Sequence, residues 1–279
     1  MLSGFLTATL PGSAHGQFEA APPLSHAHAH NDYLHSRPLL QALHLGFTSV
    51  EADIFLVRGR LLVAHSALEL SDDRTLEALY LRPLQRIAAA NGGFVLPNQH
   101  PLTLLVDIKA DGARAYTVLD ELLAQYDDII SQTRDGVFVQ KAVTVIISGD
   151  RPSRQILATN PCRSGIDGRL TDLDSRLSMH EMPLISDNWN SHFGYRRGAE
   201  FTAADRDKLQ KIVKQAHEKG RRVRFWATPE DEVLWKELRF AGVDLIGTDR
   251  LEELSRFLQS NSEQPQRQSA SESGGTADQ

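Results

Sequence analysis

The sequence predicts a single-domain α/β fold, the (β/α)₈ or TIM barrel, and three observations lead to it. Eight short apolar runs of strand length alternate with amphipathic runs of helical length, the pattern of parallel βα units. The chain has 279 residues, against the roughly 250 that such a barrel needs. Its unusual charged residues fall at the C-terminal ends of the strand candidates, where barrels of this class carry their sites. An open doubly wound sheet would use the same pattern. No Gly-rich phosphate loop follows the first strand, which weakens the dinucleotide-binding form of that sheet.

In chain order, Leu24–His30 is the first strand and Pro38–Leu45 the first helix. Thr48–Val57 follows, with a hairpin extension: Arg58-Gly59-Arg60 turns and Leu61–His65 returns. The alternation continues with helix Leu76–Ala90, strand Leu102–Lys109, helix Ala113–Tyr126, strand Ala142–Ser148 and helix Pro152–Ala158. Strands Ser164–Gly168 and Pro183–Asp187 come next, then helix Ala203–Lys219. Strand Arg222–Ala227, helix Asp231–Phe240, strand Val243–Thr248 and helix Leu251–Leu258 close the set.

Residues 24–260 thus form the barrel. Residues 1–23 read as a leader or a remnant signal segment. Leu2–Leu10 is apolar and runs into Pro11-Gly12-Ser13-Ala14, although no positive n-region precedes it. That reading places the protein outside the cell or in a periplasm; the bland alternative is a cytoplasmic chain with a disordered leader. Residues 261–279 are Ser, Gln, Glu and Gly with almost no core formers, the composition of a disordered tail.

Composition bounds function as well. Hydrophobic residues make up 41% and charged residues 24%, ordinary for a globular protein able to bury its own core. A net charge of −6 argues against a broad nucleic-acid surface. No apolar run reaches the length of a membrane span. Cys162 is the single cysteine, so no intrachain disulfide forms. It sits in an Asn-Pro-Cys-Arg turn with no histidine beside it, a poor setting for a thiolate nucleophile.

Four stretches carry the chemistry. In Ser25-His26-Ala27-His28-Ala29-His30 the three histidines share one strand face, with His30 at the strand end. His26 reads as solvated. In Val50-Glu51-Ala52-Asp53-Ile54 the apolar residues face the helices, leaving Glu51 and Asp53 inside the barrel. Buried carboxylates need a positive partner, either a basic side chain or a metal ion. The same alternation in Val106-Asp107-Ile108-Lys109 turns Asp107 and Lys109 to the barrel mouth. Three carboxylates outnumber that lysine, and three oxygen ligands suit a hard cation such as Mg²⁺ or Ca²⁺. Leu61-Leu62-Val63-Ala64-His65 ends an apolar strand in a second histidine.

With these pieces in order, the sequence resembles the superfamily of phosphatidylinositol-phospholipase-C-like phosphodiesterases. It is similar within that superfamily to the glycerophosphodiester phosphodiesterases and the sphingomyelinase D enzymes. The resemblance rests on His30-Asn31-Asp32, Ala42-Leu43-His44-Leu45-Gly46-Phe47 before Glu51-Ala52-Asp53, and Gly59 with Val63-Ala64-His65. It continues through Val106-Asp107-Ile108-Lys109, Phe225-Trp226 and Asp244-Leu245-Ile246-Gly247-Thr248-Asp249, over residues 24–258. The Ala-His-Asn-Asp-Tyr opening resembles a poorly characterised branch.

The resemblance implies that His30 and His65 act as an acid/base pair. It implies that Glu51, Asp53 and Asp107 hold the metal, that Lys109 contacts the phosphate and that Trp226 lines the pocket. The expected substrate is a small-molecule or lipid phosphodiester, with no nucleic acid. Two departures leave the substrate open: His-Asn-Asp replaces the usual His-Arg-Gly of the glycerophosphodiesterases, and Asp-X-Lys replaces their Glu-X-Lys.

Asp150-Arg151, Asp167, Asn188-Trp189 and Asp249 also end strands, where each would position substrate or serve as a cap or turn residue. Arg221-Arg222 reads as a solvated turn at the opposite barrel end. Two other functions compete. An amidohydrolase-like metal hydrolase would use His28 and His30 as a metal pair, but strands five and six supply Asp167 and Asp187 rather than its histidines. A non-catalytic binding barrel would have no need of uncompensated carboxylates.

Overall fold

The computed structural model describes residues 18–262, so most of the leader and nearly all of the tail expected from composition lie outside the described residues. Eight parallel strands form a closed barrel: β1 (Leu24–Ala29), β2 (Phe47–Val57), β4 (Leu102–Ile108), β7 (Val143–Gly149), β8 (Ser164–Gly168), β9 (Leu184–Asn188), β10 (Arg222–Trp226) and β11 (Leu245–Thr248). The extra strand β3 (Arg60–Val63) pairs antiparallel with β2, and a small hairpin, β5 (Gln132–Arg134) with β6 (Val137–Val139), stands apart from the barrel. Pairing of β1 with both β2 and β11 closes the ring.

The helices are α1 (Leu40–His44), α2 (Arg82–Ala90), α3 (Gly112–Leu123), α4 (Ser153–Ala158), α5 (Trp189–His192), α6 (Ala203–His217), α7 (Glu232–Ala241) and α8 (Leu251–Ser262). The architecture is the expected single-domain barrel, with strand bounds within one or two residues of the sequence reading. Phe18 and Ala20, just before β1, pack on the core.

Strand alternation decides what faces where. On β2, Val50, Ala52 and Ile54 are fully buried against the helices, a burial worth about 1.5–3 kcal/mol for each large aliphatic side chain. Ser49, Glu51 and Asp53 take the other face. Inside the barrel, Leu105, Ile146, Leu184 and Leu245 form a small apolar plug. Two residues further along their strands stand Asp107, Ser148, Ser186 and Gly247, so the lumen turns polar toward the C-terminal ends.

Some expectations change. The helix expected over 76–90 begins as a π-helical turn, Glu77–Leu81, before α2. Pro83 has no N–H for the carbonyl four residues back, so the regular ladder cannot run through it. The β5–β6 hairpin was not anticipated, although its Asp135-Gly136 turn, with φ of 52° and 80°, carries the usual signal.

Arg221-Arg222 is no solvated turn. Arg221 is buried and donates to the carbonyls of Asp172, Leu173, Ser175 and Leu177, while Arg222 reaches Thr103 inside the barrel. His26 is half-buried and bonded to the Val243 carbonyl rather than solvated. Among the described residues, no helix is long and apolar enough to cross a membrane.

Candidate active site at the barrel mouth

The expected residues converge at the C-terminal end of the barrel. Asp53 on β2 lies in register with Asp107 on β4, which places two carboxylates side by side. With Glu51 they form a cluster whose ligand oxygens lie within 4.8 Å of one another. Lys109 reaches into it, 2.7 Å from Asp53 Oδ2 and 3.2 Å from Asp107 Oδ1. Burial pushes the pKa of both Asp53 and Asp107 up despite that lysine, and the same carboxylates outweigh burial to push Lys109 up. Asp53 Oδ1 is buried without a hydrogen-bond partner. Three hard oxygen donors and one orphaned carboxylate oxygen are the chemistry a divalent cation would complete, so the residues fit such an ion.

Glu51 is different. Its Oε2 accepts from Arg224 at 2.5 Å and from His28 Nε2 at 3.1 Å. Burial alone would raise its pKa, but Arg224 and His28 hold it well below the usual carboxylate range. The lone lysine of the sequence reading therefore has a second cation beside it. Arg224 went unnoticed because it closes the basic run Arg221-Arg222-Val223-Arg224, and only the barrel's closure brings it to Glu51.

His28 is fully buried, and its pKa is pushed down to about 3 by burial and by the Arg224 charge. A neutral imidazole has one N–H. Nε2–H serves Glu51, and Nδ1 accepts from Ser49 Oγ at 2.7 Å. Both nitrogens are committed, which removes the His28–His30 metal pair of the amidohydrolase alternative.

His30 follows β1, and its Nδ1 lies 2.9 Å from Asp249 Oδ1. Burial would lower its pKa, but Asp249 and then Glu51 overcome that and raise it. Donation from Nδ1 leaves Nε2 free. His65 follows β3 and is exposed. Its Nδ1 lies 3.2 Å from the Tyr33 hydroxyl and 3.4 Å from Asp53 Oδ2.

Tyr33 was missed by sequence reasoning, yet it ties the site together. Its hydroxyl is 2.7 Å from Asp53 Oδ2 and 2.8 Å from Asn31 Oδ1. With one proton to give, it donates to the charged oxygen, the stronger acceptor, and receives from His65. The Asn31 amide nitrogen lies 3.0 Å from His30 Nδ1 and 3.4 Å from Asp249 Oδ1. Asn31 adopts φ 48°, a left-handed conformation that asparagine tolerates, and so turns the chain back on the strand end. Tyr33 thereby ties His65 to Asp53, while His30 and Asn31 both donate to Asp249 Oδ1.

Trp226 ends β10 and walls a cavity of about 120 Å³ together with His30, Arg224, Glu230 and Asp249. The other strand-end candidates divide. Asp150 Oδ2 accepts from the Gly112 amide at the start of α3, and Asn188 caps α5. Asp167 holds Arg169. Cys162 is half-buried, its Sγ lies within hydrogen-bond reach of the Ile156 and Ser164 carbonyls, and its pKa is raised by burial, so it is no poised thiolate.

The sequence model of the AIM6-like phosphodiesterase domain matches residues 19–165. The altered inheritance of mitochondria protein 6 homolog of Arthroderma benhamiae is 30% identical, over 80% of this chain and 80% of that protein. The chain belongs to the AIM6-like phosphodiesterase family. Its Eremothecium gossypii relative, altered inheritance of mitochondria protein 6, is 29% identical over 85% of this chain and 70% of that one.

Solved structures share the fold at lower identity. A glycerophosphodiester phosphodiesterase from Parabacteroides distasonis matches with TM-score 0.54 and 17% identity, over 87% of this chain and all of that one. A calcium-dependent phosphoinositol-specific phospholipase C from Pseudomonas sp. matches with TM-score 0.56 and 15% identity, over 82% and 91%. The family match takes in His30, Glu51, Asp53, His65, Asp107 and Lys109, whereas Trp226 and Arg224 lie beyond its end.

Proposed function

We propose that this member of the AIM6-like family is a metal-dependent phosphodiesterase acting by paired histidine acid/base catalysis. The observation that carries the reading is the Glu51–Asp53–Asp107 cluster with its unpartnered Asp53 Oδ1 oxygen, flanked by His65, 3.4 Å from Asp53 Oδ2, and by His30 just past the end of β1. Glu51, Asp53 and Asp107 would hold the cation. When bound, Mg²⁺ or Ca²⁺ would polarise a nonbridging phosphate oxygen as a Lewis acid.

The remaining work falls to the chain's own groups. Lys109 neutralises charge developing on the phosphate. His30, whose pKa Asp249 raises, delivers the proton to the leaving oxygen from Nε2. His65, oriented at Nδ1 by Tyr33, takes the proton of the attacking hydroxyl or water. Trp226 walls the side of the cavity where a leaving or retained alcohol sits. Each proton transfer of this kind contributes typically about 10²–10⁴-fold.

The test is hydrolysis of a diester panel, comprising glycerophosphodiesters, lysophospholipids, sphingomyelin, phosphoinositides and a chromogenic diester. It is run with Mg²⁺, Ca²⁺ or EDTA. Metal-dependent turnover by the wild type that His30→Ala abolishes is the expected result. A wild type inert toward every diester would end the reading, and turnover undiminished by EDTA would end its metal dependence.

A further inference from the structure

The barrel mouth carries a second polar constellation that this acid/base chemistry does not use. Asp167, at the end of β8, is fully buried. It accepts from Ser148 Oγ at 2.7 Å, from Ser186 Oγ at 2.5 Å and from Arg169 at 2.9 Å. Arg169 also donates to the carbonyls of Asp167 and Gly168. Its guanidinium is thus held from behind, and it lies 4.8 Å from the centroid of the Trp226 ring. Trp226 is the wall of the cavity that holds His30. One indole ring therefore separates Arg169 from the proposed reaction centre.

Arg151 sits just past the end of the neighbouring strand β7. It is half-buried, and its guanidinium makes no hydrogen bond or ion pair among the described residues. Burial and the Arg169 charge push its pKa down, against the opposing pull of Asp167, Asp172 and Asp107. A half-buried cation beside another cation, with no anion bonded to it, costs free energy in the ligand-free protein. Lys109 ends β4, the next strand round the barrel, so three successive strands close in basic residues.

We infer that Arg151 and Arg169 form a second anion site and that the substrate is a phosphodiester bearing an additional phosphomonoester on one of its alcohol groups. The inference rests on the phosphodiesterase reading for the diester, but not for anion binding itself. Two planar guanidinium forks suit the oxygens of a phosphate better than point charges do. Asp167 already neutralises Arg169, so Arg151 is the cation of the pair left without a counter-ion. The Asp167 network has a purpose in this arrangement, because a fixed guanidinium loses less freedom on binding than a free one.

The test uses the full chain with two matched pairs of probes. Glycerophosphoinositol is compared with its 4-phosphate in solution, and phosphatidylinositol with its 4-phosphate in phosphatidylcholine vesicles. The wild type is expected to favour the phosphorylated member by about tenfold or more in kcat/KM, the scale of charge-assisted hydrogen bonds to one guanidinium. Arg151→Met is expected to bring the ratio close to one. Arg151 leaves no partner orphaned, so this variant should melt with the wild type. Arg151→Lys keeps the charge without the fork and should retain only part of the ratio.

A preference in the soluble pair identifies a free phosphate ester, and one confined to vesicles identifies a lipid headgroup. Equal kcat/KM for both members of each pair, or a ratio that survives Arg151→Met, overturns the anion site and leaves the phosphodiesterase reading standing. If no diester is turned over, that reading falls, and calorimetric titration with inorganic phosphate decides the anion site. Binding weakened about tenfold by Arg151→Met supports it; binding that is absent, or unchanged in the variant, overturns it.

Discussion

Two buried aspartates at the same barrel mouth, Asp53 and Asp167, are both fully shielded from solvent and both face a basic residue. Asp167 has donors for both oxygens: two serines and Arg169. Asp53 has Tyr33 and Lys109 on one oxygen and nothing on the other, and burial drives its pKa up. A buried carboxylate whose lone pairs are filled is a structural joint. One left half-filled beside two more carboxylates is a place for a cation. The comparison separates a filled carboxylate from a half-filled one within one ring of side chains.

The largest effect on stability is expected on the Asp167 side. Asp167→Ala removes the acceptor of Arg169, Ser148 and Ser186 together. Breaking a fully buried pair costs about 3–5 kcal/mol; Arg169 keeps some contact with water, so about 2–4 kcal/mol is expected in urea unfolding. Asp53→Asn should behave oppositely, changing stability by less than about 1 kcal/mol because it also relieves repulsion from Glu51 and Asp107. What it should lose is the response to cations: the wild type gains about 2.7 kcal/mol at a metal concentration one hundred times Kd. If Asp53→Asn kept that gain in a thermal melt with Mg²⁺ or Ca²⁺, the contrast between the two aspartates would collapse.

How much of this was legible in the sequence follows the same division. Glu51, Asp53, Asp107 and Lys109 were readable because strand alternation puts them opposite Val50, Ala52, Val106 and Ile108, and period-two burial is local information. The barrel was readable because βα alternation is local too. Arg224, Tyr33 and the Asp167 network were not. Arg224 meets Glu51 across 173 positions of sequence, and Ser148 and Ser186 each lie 19 positions from Asp167, so only ring closure brings them together. Tyr33 sits in the very opening that marked the family, but its partners lie on β2 and beyond β3. Arg221 was misread because a pair of arginines before a strand looks like solvent, whereas here four carbonyls accept from its two terminal nitrogens.

A smaller effect is expected from Tyr33→Phe, which keeps the ring and removes one hydroxyl. Asp53 loses a donor and His65 loses the group that fixes its Nδ1, while neither side chain leaves the site. Supporting hydrogen bonds of this kind are worth about 10–100-fold. The loss should appear in kcat, with KM for the diester little changed. A loss confined to KM would mean that Tyr33 contacts substrate rather than orienting His65.

The smallest expected effect is a displacement rather than a loss. Asp249 raises the pKa of His30 against the opposing effect of burial. If His30 is the acid, the basic limb of the kcat/KM profile marks its deprotonation and stands above the ordinary imidazole value of 6.5. Asp249→Asn removes the raising charge and leaves the burial, so that limb should move to lower pH. Stability gives the same sign by a separate route. A histidine whose folded pKa is raised contributes stability fully below its unfolded value and loses it as pH rises through the folded one. Wild type and Asp249→Asn should therefore differ most in mild acid, below the titration of His30 but above that of Asp249, whose own pKa is lowered by His30, and converge in alkali when unfolding is followed against pH. Convergence without movement of the kinetic limb would keep the His30–Asp249 pair but transfer the acid's role to another group, and His65, on the cation side of the mouth, would be the first to examine.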